Sequence, residues 1–170
     1  MIQSKTVKPA ILVFMPLDTG DPNPENYPTF VGRKLIPEFD RQLRTIPDRQ
    51  HRATYSVGFL APMGMMTAAR NSELISATAF QSPFIFGGPA EAAFTQLKNS
   101  SKPLTVYCDW GSFDMFNPHE NWDMRKIGKR VFDEAVASKN LNVVGGRVSD
   151  TTGWHSWRNR FEEIFKALLK

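Results

Sequence analysis

Apolar and polar positions along the chain fall into short runs that switch between two periods. Residues 10–15 (Ala10, Ile11, Leu12, Val13, Phe14, Met15) form an uncharged apolar run that stops at Pro16, as a buried strand does. Residues 18–28 are rich in Asp, Asn, Gly and Pro and predict a loop. Leu35, Phe39 and Leu43 share one helix face, with Pro37 near a helix start or kink. Residues 52–57 read as a second strand and 62–71 as a helix, with Pro62 in its first turn. A third strand over 76–81 and a short helix over 90–98 follow.

The second half has the stronger periods. Residues 104–109 predict a strand that ends in the turn Trp110, Gly111, Ser112. Met124, Ile127, Val131 and Ala135 recur at three and four residues, the stripe of an amphipathic helix over 123–138. A fifth strand covers 141–148, where Gly145 and Gly146 point to a bulge or a close backbone approach. Trp154, Trp157, Phe161, Ile164, Phe165 and Leu168 give the last helix its apolar stripe. Alternation of strands and helices predicts an α/β fold: one domain over 1–170, with a mainly parallel sheet of about five strands and helices on both faces.

Composition narrows the function. With 21 basic and 17 acidic residues, scattered and without a run of four Lys or Arg, the charge pattern is that of a solvated surface and not of a nucleic-acid-binding face. No apolar stretch approaches the roughly 20 residues of a membrane span. Lys5 and Lys8 precede only a short apolar run, so no signal peptide is read and a soluble, cytoplasmic protein is expected. The single Cys108 lies in an apolar run and is expected to be buried and unreactive. His51, His119 and His155 are far apart and no Cys pair exists, so no metal site is expected. Phe86-Gly87-Gly88-Pro89 reads as a turn rather than a phosphate loop, and no cofactor is implied.

One segment is more specific. Trp154-His155-Ser156-Trp157-Arg158 resembles the W-x-x-W-R signature of the esterase family of α/β-hydrolases, which includes enterochelin esterases, feruloyl esterases, mycolyl transferases and esterase D. Residues 9–15, 35–40, 44–45, 109–114 and 120–123 match further stretches of that family in order. The resemblance implies a serine nucleophile on a strained strand-to-helix turn, a histidine base and an acid that orients it. A gapless match puts Gly58 at the nucleophile, Asp114 at the acid and Thr152 at the base. Glycine has no side chain to attack a carbonyl, and threonine cannot take and return a proton near neutral pH. The resemblance also implies that the chain starts at the family's fourth strand, without the third strand and the oxyanion-stabilising loop after it. The expected molecule is thus a truncated α/β-hydrolase-like fold, a pseudo-esterase with a ligand-binding or protein-interaction role.

A shifted register keeps an active serine esterase open, with Ser56 as nucleophile, His155 as base and Asp114 as acid. For a small-molecule or ester-like ligand, Trp110, Phe113, Phe116 and Trp122 are the candidate lining, although each aromatic would suit an ordinary core. The uncharged run from Ala10 to Met15 lacks the usual protection of an exposed edge. Unless it pairs with residues 52–57, it is expected to drive a homodimer or a hetero-complex.

Overall fold

The computed structural model of the chain describes residues 9–15 and 26–169. The first helical stretch joins α1 (Tyr27–Phe30), a wide π segment at Val31–Leu35, and α2 (Ile36–Gln42). Pro37 gives a reason for the widening. It has no N–H for the carbonyl four residues back, and the Ile36 N–H instead reaches the Val31 carbonyl. Asn71 ties this stretch to the next helix, donating from Nδ2 to the Pro28 carbonyl at 2.9 Å. Of the loop expected over 18–28, residues 18–25 lie outside the described residues, and Tyr27 is already helical. The lysines Lys5 and Lys8 also lie outside them.

The remaining elements are β1 (Ala53–Val57), α3 (Ala61–Arg70), β2 (Ala77–Gln81), α4 (Gly88–Lys98), β3 (Leu104–Gly111), β4 (Phe116–Asn117), β5 (Trp122–Asp123), α5 (Met124–Val136), β6 (Leu141–Val148), α6 (Trp154–Trp157) and α7 (Phe161–Leu168). The main sheet has the order β1-β2-β3-β6 and is parallel throughout. A two-residue antiparallel ribbon pairs β4 with β5.

Four strands form this sheet where five were expected. Residues 10–15 have strand composition but no ladder partner among the described residues, and Ile11, Leu12, Val13 and Phe14 are exposed. A strand exists only as one half of a pairing, so apolar composition alone does not make one. Two boundaries also move. β3 runs on through Trp110 and Gly111, which were expected to turn. The ladder between β3 and β6 is continuous through Gly145 and Gly146, so the expected bulge is absent. The close approach is present instead. Gly145 has φ +108°, and a Cβ there would strike the Cys108 carbonyl.

Strand alternation sorts the two faces. Phe80, Leu104, Val106 and Cys108 face α3, α4 and α5, where Met65, Phe94, Leu97, Ile127 and Val131 complete the main core. Complete burial of Phe80 or Phe94 contributes about 2–3 kcal/mol each. Ala79 and Tyr107 face the other way, against Ile164 of α7 with Phe161 and Phe165 beside it. Trp154 departs from its expected packing role: it is 52% exposed and meets Phe161 edgewise at 5.5 Å.

Candidate functional site

β1 leads directly into a one-turn 3-10 helix, Gly58–Leu60, and then into α3. Gly58 begins that turn with φ +51°, a left-handed conformation that other residues adopt only under strain. A strand-to-helix turn of this kind aims its first residue out over the carboxyl edge of the sheet. A Cβ on Gly58 would sit 3.3 Å from Cη2 of Trp157, so the indole covers the place where a side chain would project.

From Trp157 a chain of hydrogen bonds runs across the strand ends. Its Nε1 donates to Ser82 Oγ at 3.1 Å, and Ser82 donates to Asp114 Oδ1 at 3.1 Å. Ser82 follows β2 directly, is fully buried and has φ +46°. Thr152 Oγ1 donates to Asp114 Oδ1 at 2.8 Å, and the Gly111 N–H donates to Oδ2 at 2.8 Å. Burial pushes the Asp114 carboxyl above its ordinary value, against the lowering effect of Gly111, Thr152 and Ser82. Asp114 and Thr152 are therefore in direct contact, and Gly58 joins them through Trp157 and Ser82.

The shifted set is not brought together. Ser56 lies on the strand face under α3, where a Cβ on Gly64 would collide with its hydroxyl. Ser56 Oγ is buried and has no hydrogen-bond partner among the described residues. His155 is exposed, with its ring beside the Gly153 backbone, and the carboxylate of Asp114 is bonded to Ser82, Thr152 and Gly111. Neither a nucleophile–base nor a base–acid hydrogen bond links Ser56, His155 and Asp114 among the described residues.

The four candidate ligand aromatics also part company. Trp110 is buried beneath α5, against Gly128 and 5.3 Å from the Phe132 ring. Phe113 is 71% exposed. Only Phe116 and Trp122, carried on the β4–β5 ribbon, line a common groove. Trp122 meets Phe84 edgewise at 5.1 Å, and Phe84 lies 4.5 Å from Phe59 on the Gly58 turn, so an aromatic ridge joins the groove to that turn.

Beneath α7 lies a polar network that sequence reasoning missed. Arg160 donates to Asp109 Oδ2 at 2.9 Å and to Asp150 at 2.7 Å. Asp109 also accepts from Tyr107 and Gln81, each at 3.0 Å, and Gln81 accepts from Tyr55 at 2.6 Å. Burial works against the Arg160 charge, yet the Asp109 bond and the nearby carboxylates bring its pKa above the ordinary value. The two tyrosine hydroxyls are pushed up by burial and by the Asp109 charge. Signals were present: Asp109 is the one charge in an apolar strand, and Arg160 falls between Trp157 and Ile164 on an apolar stripe. Cys108 is buried as expected, and burial raises its thiol well above the ordinary value. Among the described residues no cluster of His, Cys, Asp and Glu could hold a metal ion, and no helix is long and apolar enough to cross a membrane.

No protein-family model and no curated protein matches the chain. Solved structures do. A ferulic acid esterase superposes with a TM-score of 0.63 at 14% identity, over 83% of this chain and 60% of its own. The BES protein from Bacillus cereus gives 0.66 at 14% identity, over 97% of this chain and 64% of its own. An S-formylglutathione hydrolase from Agrobacterium tumefaciens gives 0.60 at 12% identity, over 84% and 57%. The chain spans less than two thirds of the length of each of these structures. With its parallel sheet and its helices on both faces, the chain has a truncated α/β-hydrolase-like fold that superposes on part of each of these structures.

Proposed function

We propose that this chain is an esterase-fold protein that binds a ligand and does not hydrolyse esters. One observation carries the reading. The position that aims over the carboxyl edge of the sheet is a glycine, Gly58, and the carboxylate linked to it through Trp157 and Ser82, Asp114, accepts from the hydroxyl of Thr152 where an imidazole would be needed. Without a nucleophile or a base, the remaining carboxylate orients nothing that can exchange a proton. The groove that holds Phe116 and Trp122 supports the binding half of the reading.

The test is covalent and kinetic. A fluorophosphonate probe is expected to leave the purified chain unlabelled, and p-nitrophenyl acetate is expected to hydrolyse at the buffer rate. Stoichiometric labelling at Ser56 would overturn the reading in favour of the shifted triad with His155 and Asp114.

A further inference from the structure

Two grooves meet at the start of α5. The first, about 610 Å³, holds Phe86, Phe116 and Trp122, and the second, about 570 Å³, holds Arg147; Lys126 lines both. Both volumes fall in the range of small-molecule sites. Five cationic side chains line the pair of grooves against two carboxylates. Most of those cations are already engaged. Arg125 is bonded twice to Asp123, at 2.8 and 2.6 Å, Arg130 bridges Glu91 and Glu134, and Lys129 meets Asp133. Among the described residues, Lys126 and Arg147 have no carboxylate partner, and Lys126 stands where the two grooves join.

We infer that this junction binds a small planar aromatic anion. Phe116 is 57% exposed, and the Arg125 guanidinium lies 4.6 Å from its ring centroid, fixed in turn by Asp123. The ring is thus backed by a rigid cation and keeps area open to a second aromatic. Trp122 is fixed on the same wall, with its Nε1 donating to Glu120 at 2.8 Å and its ring against Phe84. Phe86 is exposed and lines the same groove. The aromatic walls select a flat ring, and the unpartnered ammonium of Lys126 selects an acid group on it. The uncompensated positive lining, with Arg147 in the adjoining groove, sets the sign of the ligand. This site rests on the reading of the chain as a binding protein, but it lies outside the Gly58–Asp114–Thr152 contacts.

The probe is 2-naphthoate, titrated calorimetrically into the full chain, with 2-naphthamide as its uncharged counterpart. Saturable binding of naphthoate is expected, about tenfold or more weakened for naphthamide and for the Lys126→Ala variant, the usual size of losing one charge-assisted hydrogen bond. Lys126→Arg should keep the affinity, and Phe116→Ala should lose it. All three substitutions are at a groove surface, and unchanged melting confirms that each variant folds. No saturable binding at millimolar naphthoate, or binding indifferent to Lys126→Ala or to the charge of the ligand, would overturn the inference. Ester hydrolysis by the parent chain would sink the binding-only reading and leave these binding results standing. Indifferent binding would remove the groove and leave the absence of hydrolysis untouched.

Discussion

Asp114 is the residue at which burial and hydrogen bonding compete most openly. Three donors favour its charged form, while burial favours the neutral one and prevails, so its folded pKa lies above the ordinary value. The sign of the resulting pH dependence follows. A carboxyl that holds its proton more tightly when folded contributes stability that is full below the ordinary carboxylate value and is lost as pH rises through the raised one. Denaturant titrations of the parent and of Asp114→Asn should therefore diverge as pH rises above the ordinary carboxylate value, about 4, with the parent losing ground to the variant. A constant difference would mean that the three hydrogen bonds balance burial, and one of the opposite slope that they outweigh it; either would overturn the expectation. Ser56 presents the contrasting case: a buried hydroxyl with no partner among the described residues is a cost to the fold.

At the scale of the element, the C-terminal helical stretch is held by two kinds of contact. Ile164 is its fully buried apolar residue, while Arg160 places a guanidinium against Asp109 inside the sheet face. The side chains of Arg160 and Asp109 are 8% and 0% exposed, so the pair is shielded from water. Removing one member of a buried pair leaves the other charged and unpartnered, which typically costs about 3–5 kcal/mol. Arg160→Ala should lower the unfolding free energy by about that amount, and a second change, Asp109→Asn, should recover part of it. Melting of Arg160→Ala at the parent temperature would show that the network beneath α7 has no structural role. The helical stretch over 27–42 shows how one residue edits an element: Pro37 turns an ordinary α ladder into a π segment without ending the helix.

For the whole molecule, the open side of β1 is the decisive feature. Among the described residues β1 pairs only with β2, which leaves the backbone groups of its outer edge without a ladder there. Such edges are normally covered, bulged or charged, whereas β1 carries neither a charge nor a proline. The exposed uncharged residues Ile11, Leu12, Val13 and Phe14 are a segment of strand-like composition in the same chain. A second copy can therefore supply what this edge lacks, most simply as a twofold dimer. Sedimentation at micromolar concentration is expected to show that dimer, and replacing Val13 with Lys should weaken it. A clean monomer for the parent would defeat the exposed-edge argument.

The sequence by itself determined the fold class, because helix and strand periods are local and the alternation of apolar runs with amphipathic stripes leaves a parallel layered sheet as the way to bury both. It also offered candidates near the strand ends: the 52–61 stretch pointed to Gly58, the 109–114 stretch to Asp114, and counting back from Trp154 to Thr152. Tertiary structure alone decided which of these touch. Ser82 joins Asp114 to Trp157 only because the ends of β2 and β3 lie side by side, with paired residues 28 positions apart in sequence. Residues 10–15 have the composition of a strand and are not one, since a ladder needs a neighbour that composition does not supply. The four aromatics separated because strand direction and helix packing, not hydrophobicity, send Trp110 under α5, leave Phe113 in solvent and put Phe116 and Trp122 on one groove wall. Lys126 stood out only once Arg125, Lys129 and Arg130 had been matched to carboxylates; the pairs with Asp123, Asp133 and Glu134 are local in sequence, whereas the Arg130–Glu91 pair between α5 and α4 is visible only in space.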